Sequence, residues 1–268
     1  MSEQTTRPLA QTVIGEGEGR PVVFCHGLLG RGRNFTGIAK ALQPEFRCVL
    51  LDMPDHGRSP WTDRIDYATA ADLLVQQLRV LAVDGPVHLV GHSMGGKTAM
   101  TAALAAPDLV DRLVVVDISP TGSGEVSQFE HLLSALLELD LGAITSHGQA
   151  DRMLATAVDS PALRGFLLQN LRRDPATQAF GWQPNLEVLL RDLDVVTGDI
   201  PHQDRTFEGP VLWIAGGDSP YIATEHEGPM RALFPRTVQV TVKGAGHWVH
   251  SEQPDAFTAT LRHFLRHS

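Results

Sequence analysis

Short apolar runs punctuate this chain at 21–25, 46–51, 87–90, 113–116, 211–214 and 238–242. Runs of that length, rich in Val and Leu and bounded by turn residues, predict buried strands. Leu9 to Ile14 reads as a further short edge strand, closed by the flexible turn that starts at Gly15. Helical patterns lie between the runs. Residues 35–42 form a short one, and 67–83 a longer one carried by Leu73, Leu74, Leu78 and Leu81 and stopped at Asp84-Gly85-Pro86. A small-residue helix follows Ser93, and another begins near Pro254 with Phe257, Leu261, Phe264 and Leu265 on one face. Strands alternating with helices at this spacing predict a mostly parallel sheet covered on both faces.

The rhythm breaks after residue 118. From Ser119 to about Glu208 the pattern predicts helices and no strand. Ser127 to Glu130 has capping-box spacing ahead of Phe129, Leu132, Leu133, Leu136 and Leu137. Weaker helical patterns cover 149–158 and 184–193, and Ser160-Pro161 reads as an N-cap with proline at the first helical position. The expected organisation is an α/β core made of 1–118 and 209–268, with 119–208 inserted as a helical cap. Residues 1–8 read as a loose tail.

Composition narrows the function classes. The net charge of −9 and the lack of any Lys/Arg block argue against a nucleic-acid partner. No apolar run approaches bilayer length, and the first residues lack the apolar core of a secretory signal. Cys25 and Cys48 both fall in strand patterns, so buried free thiols and a reducing, cytoplasmic setting are expected. No histidine pair sits at helical ligand spacing beside a carboxylate, so no metal site is expected. An oligomeric state carries no signal in the sequence.

The chemistry centres on Gly91-His92-Ser93-Met94-Gly95, which joins a predicted strand to a predicted helix. In that context Gly-x-Ser-x-Gly presents a serine on a sharp, strained turn, with the glycines leaving room where strand and helix approach. The helix after Ser93 also points its positive end at any oxyanion formed there. A serine hydroxyl needs a base, and His247 in Gly244-Ala-Gly-His-Trp follows a core strand on a flexible loop. His88, His92, His131, His147, His202 and His226 read as surface or packing residues, and His250 as structural polarity. Two carboxylates, Asp117 and Asp218, keep the order Ser…Asp…His needed to orient the imidazole.

The motifs together identify a resemblance. Gly91 to Lys97, His26-Gly27-Leu28, Asp52 to Ser59, Val116 to Pro120 and Gly244 to His250 resemble the α/β-hydrolase superfamily. The elbow is most similar to that of small bacterial serine esterases and their mitochondrial relatives. The resemblance implies a mostly parallel sheet flanked by helices, with no cofactor. Most superfamily members carry the acid in a Gly-x-x-Asp arrangement after the strand at 211–214. Counted from Gly216 that position holds Ser219, and Asp218 falls one residue early. The similar esterases are thought to take the acid from the preceding strand's end, which favours Asp117 over Asp218. The same resemblance implies an oxyanion hole from the backbone N–H groups of Met94 and Leu28, and Asp52 and His56 read as loop-structuring.

The expected function is a carboxylesterase acting on small to medium acyl esters or thioesters, with Phe180, Trp182 and Leu186 of the inserted segment lining an apolar substrate pocket. A carbon–carbon bond hydrolase or cofactor-free perhydrolase with the same triad, or a non-catalytic ligand-binding or receptor protein, are the alternatives.

Overall fold

A computed structural model describes residues 7–17, 19–122, 126–202 and 204–267. The chain opens with β1 (Gln11–Ile14) and β2 (Val22–Cys25), then α1 (Thr36–Ala41) and β3 (Cys48–Leu51). Next come α2 (Tyr67–Leu81), β4 (Val87–His92), α3 (Met94–Ala105) and β5 (Val110–Val116). The segment between β5 and the next core strand carries α4 (Val126–Leu137), α5 (His147–Leu154) and α6 (Pro161–Leu168). It continues through β6 (Leu171–Arg173), β7 (Phe180–Trp182), α7 (Leu186–Arg191) and α8 (Leu193–Thr197). The core resumes with β8 (Val211–Gly216), α9 (Glu227–Leu233), β9 (Thr237–Val242), α10 (Val249–Glu252) and α11 (Pro254–His267).

Seven strands form one sheet in the order β1-β3-β2-β4-β5-β8-β9. Only β1 runs antiparallel, at the edge beside β3; every other pair is parallel. Parallel strands must be covered on both faces, and their alternation does this here. Val23, Cys25, Val49 and Leu51 join the core under α2 and α3. Val22, Phe24, Cys48 and Leu50 join the core under α1 and α11. That alternation puts Cys25 and Cys48 on opposite faces of the sheet, and both are buried free thiols. Burial pushes each thiol pKa up to about 12, which leaves both as unreactive packing groups.

The inserted segment departs from its sequence reading in three places. It is not purely helical: β6 and β7 pair antiparallel, Leu171 opposite Trp182 and Arg173 opposite Phe180. Three-residue strands are too short to show a period-2 pattern, so hydrophobicity concealed them. Ser127 is not the cap of α4, because the helix already includes Val126, which packs on the core. The pattern at 184–193 divides at Asp192, which closes α7 and precedes α8, and whose Oδ2 accepts the Ile65 N–H at 2.8 Å. The cap at Ser160 is present as read, with its side chain accepting the Leu163 N–H and Pro161 opening α6. No helix among the described residues is long and apolar enough to cross a membrane.

Candidate active site

Ser93 stands between the last residue of β4 and the first of α3, at the middle of the sheet. Its backbone lies at φ 53°, ψ −123°, a region that costs a non-glycine residue about 1–3 kcal/mol. The surroundings hold it there: its N–H donates to Val116 O at 3.0 Å and its carbonyl accepts from Lys97 N at 3.0 Å. A side chain on Gly91 would overlap the carbonyl of Gly95, and one on Gly95 would overlap the carbonyl of His26. The sharp turn therefore needs both glycines, as the sequence pattern implies.

Asp117 follows the end of β5, beside β4, and is fully buried. Its Oδ1 accepts the Gly216 N–H at 2.8 Å. Its Oδ2 accepts from His247 Nδ1 at 2.8 Å and from the Ser219 hydroxyl. Three donors on one carboxylate fix its plane. A donating Nδ1 makes His247 Nε2 the acceptor nitrogen of the ring. Asp218 is exposed, and what it contributes is a backbone N–H to Ala245 O at 2.9 Å. Ser219, beside Asp218, donates its hydroxyl to Asp117 instead of leaving that carboxylate's Oδ2 to His247 alone.

The His247 loop is held from several sides. Glu252 accepts the backbone N–H groups of Gly246 (2.7 Å) and Trp248 (3.3 Å). Tyr221 stacks on the imidazole with ring centroids 4.1 Å apart. His92 is buried and its Nε2 donates to the His247 carbonyl at 2.8 Å. Burial holds the His92 pKa well below the usual value, with repulsion from His247 adding to it, so the ring is neutral. His250 is also buried and is pushed down to about 3 by burial, stacking on Phe35 at 4.5 Å. Neither ring is a surface residue. Their roles follow from contacts between loops far apart in sequence, and only the unusual run of histidines at 247 and 250 hinted at them.

The loop after β2 closes against the nucleophile: a side chain at Gly27 would come within 3.0 Å of Ser93 Cβ. Two neutral imidazoles shape this loop. His26 donates from Nδ1 to Gly27 O (2.8 Å) and accepts the Met53 N–H at Nε2 (2.9 Å). His56 donates from Nδ1 to Pro54 O (2.9 Å) and accepts the Leu29 N–H at Nε2 (3.0 Å). Only a neutral ring can donate from one nitrogen and accept at the other. Burial lowers His26 to about 3, helped by repulsion from His56, and burial lowers His56 as well. Asp52 accepts from Gly32 N and Arg58 N, each at 3.0 Å. His56 and Asp52 thus act as the loop-structuring groups expected of them. Met94 begins α3, so its N–H is among those a helix leaves without an intrahelical partner.

Residues 22–260 match the description "Alpha/beta hydrolase family". The chain belongs to the alpha/beta hydrolase family. It is 38% identical to the sn-1-specific diacylglycerol lipase ABHD11 of Mus musculus over 268 residues, covering 96% of this chain and 85% of that protein. It is 31% identical to esterase YbfF of Escherichia coli K12, covering 96% of this chain and 97% of that one. Among solved structures, a marine microorganism esterase superposes with a TM-score of 0.91 at 32% identity, over 96% of this chain and 99% of that one.

In this alpha/beta hydrolase, Ser93 and His247 line one tight pocket together with Leu28, and its apolar wall comes from Phe129, Leu132, Leu163 and Phe166. A larger cavity of about 380 Å³ lies next to it, sharing Leu28, His92, Leu163, Phe166 and Trp248. Phe180, Trp182 and Leu186, expected at the substrate pocket, line neither. The Phe180 ring meets His147 at 5.6 Å and carries the Arg173 guanidinium 5.7 Å from its centroid. Trp182 pairs with Leu171 in the ribbon, and Leu186 is buried in the core. The apolar surface near Ser93 comes instead from α4 and α6. Among the described residues, no group of three or more His, Cys, Asp or Glu could hold a metal ion.

Proposed function

We propose that this carboxylic ester hydrolase works by acyl transfer from substrate to Ser93 and then to water, with His247 as base and Asp117 as the triad acid. Ser93 Oγ attacks the ester carbonyl carbon while His247 Nε2 takes the hydroxyl proton. The carbonyl π electrons move onto oxygen, and the Leu28 and Met94 N–H groups stabilise that oxyanion. Collapse breaks the bond to the leaving alkoxide or thiolate, which takes the proton from His247. Water then attacks the acyl-enzyme with the same base and regenerates Ser93. Asp117 holds the imidazolium by its Nδ1–H. No step calls on a cofactor.

The observation that supports this reading most strongly is the 2.8 Å bond between His247 Nδ1 and a fully buried Asp117, with His247 and Ser93 lining one pocket. Asp117 is preferred to Asp218 because the latter is exposed and donates its backbone N–H to Ala245 O. The proposal extends to residues 119–208 as a cap on a core of 1–118 and 209–268. Lys97 of α3 supports it, since its Nζ donates to Thr121 O (3.1 Å), Thr197 O (3.2 Å) and Gly198 O. A tight apolar pocket suits small to medium acyl groups. The two buried free thiols favour a reducing, cytoplasmic setting.

Hydrolysis of p-nitrophenyl acetate and butyrate by wild type and Ser93→Ala tests the reading. Wild type is expected to turn over both esters, and Ser93→Ala to lose activity by roughly 10⁶-fold in kcat. A folded wild type inert toward every activated ester would sink it.

A further inference from the structure

A third cavity, a cleft of about 440 Å³, opens where the loop after β2 meets the β6–β7 ribbon, and it is lined by Arg31, Arg33, Arg58 and Arg172. This is a concentration of cations in a chain whose net charge is −9. Among the described residues, none of the four arginines forms an ion pair, although six arginines elsewhere do. Asp52 is the one carboxylate lining the cleft, and both its oxygens already accept backbone N–H groups, from Gly32 and Arg58.

Arg31 is the decisive residue. It is only 6% exposed. Its Nη1 donates to Gln169 O at 2.9 Å, and its Nε meets no acceptor among the described residues. A buried guanidinium that is ion-paired with no carboxylate is expensive to hold, and the single charge of Asp52 is outnumbered by the four guanidinium groups that line the cleft. Arg172 has a neutral partner, Gln183 Oε1 at 2.8 Å, which orients its fork without neutralising it. An arrangement of this kind is relieved by an anion that can engage several guanidinium groups at once.

We propose that this cleft is a binding site for a phosphate-class polyanion, most suitably a diphosphate group. A single carboxylate would leave most of the positive charge uncompensated, whereas a diphosphate presents enough oxygens to meet all four forks. The group can arrive as a handle on the ester substrate or as a separate small molecule. Both use the same chemistry; the handle rests on the proposed ester hydrolysis, and the separate ligand does not.

Titration calorimetry of the full chain with pyrophosphate tests the site without reference to activity. Saturable binding that weakens as salt rises is expected, with a loss of about tenfold or more in Arg58→Gln and again in Arg172→Gln, both of which change exposed side chains. Arg266→Gln, whose arginine pairs with Glu45 elsewhere, is expected to bind as wild type does. No saturable heat, or an equal loss in Arg266→Gln, would overturn the proposal. Given binding, competitive inhibition of p-nitrophenyl butyrate hydrolysis by pyrophosphate assigns the site to a substrate handle, and non-competitive inhibition or activation assigns it to a separate ligand.

Discussion

The loops at the carboxyl ends of β2, β4 and β5 and the segment between β5 and β8 both contribute to the pocket at Ser93, on different terms. In the strand-end loops the buried imidazoles and the carboxylate have directed partners: His26 with Gly27 and Met53, His56 with Pro54 and Leu29, Asp117 with Gly216, Ser219 and His247. Backbone conformation there is demanding too, with Leu29, Ser93 and Asp117 all at positive φ. The inserted segment offers the pocket Phe129, Leu132, Leu163 and Phe166, side chains whose requirement is to be apolar and of suitable size. The first region tolerates few residue types at each position. The second tolerates exchange among hydrophobic residues, because packing is less selective than directed hydrogen bonding.

The largest expected contrast lies within the strand-end loops. Asp117→Asn is expected to reduce kcat for p-nitrophenyl butyrate by roughly 10⁴-fold, because an amide no longer stabilises the imidazolium or fixes its tautomer. Asp218→Asn is expected to stay within about twofold of wild type, as an exposed substitution remote from directed contacts. Equal losses in the two variants would break the comparison.

A second effect separates the regions by pH. His26, His56, His92 and His250 are held neutral by burial, with pKa values below 6.5 in the folded chain and near it when unfolded. The unfolded chain therefore binds more protons as pH falls below 6.5, so stability is fully present above that value. It is lost progressively on the way down to about 3, where His26 and His250 titrate in the folded protein. Each such group contributes about 1.4 kcal/mol per pH unit inside its window. Denaturant midpoints measured from pH 7 to 4 should show this fall, and His250→Gln should shallow the slope by about one proton. An unchanged slope would mean that His250 is not neutral in the fold.

The smallest expected effect belongs to the inserted segment. Phe166→Ala, beside Trp248 at 5.8 Å, is expected to raise KM by about tenfold with kcat nearly unchanged, through lost apolar contact with substrate. Phe180→Ala is expected to leave both constants within about twofold, since its ring lies on the ribbon away from Ser93. Steady-state kinetics on the butyrate ester decide between them, and a larger KM change in Phe180→Ala would return that residue to the pocket.

The sequence by itself determined the alternation of strands and helices, the strained turn at Ser93 and the glycines it needs. It also singled out His247 among 12 histidines. These are local matters: apolar periodicity, turn chemistry and a short motif act between residues near in sequence. The choice between Asp117 and Asp218 was open to spacing alone, and the resemblance tilted it. The tertiary structure gave the geometric difference, since Asp117 reaches His247 across 130 residues while Asp218 faces solvent. Ser219 on Asp117, His92 on the His247 carbonyl, and Phe166 rather than Phe180 at the pocket were likewise decided only by folding. Each is a contact between segments that the sheet brings together, and no pattern within one segment records its distant neighbour.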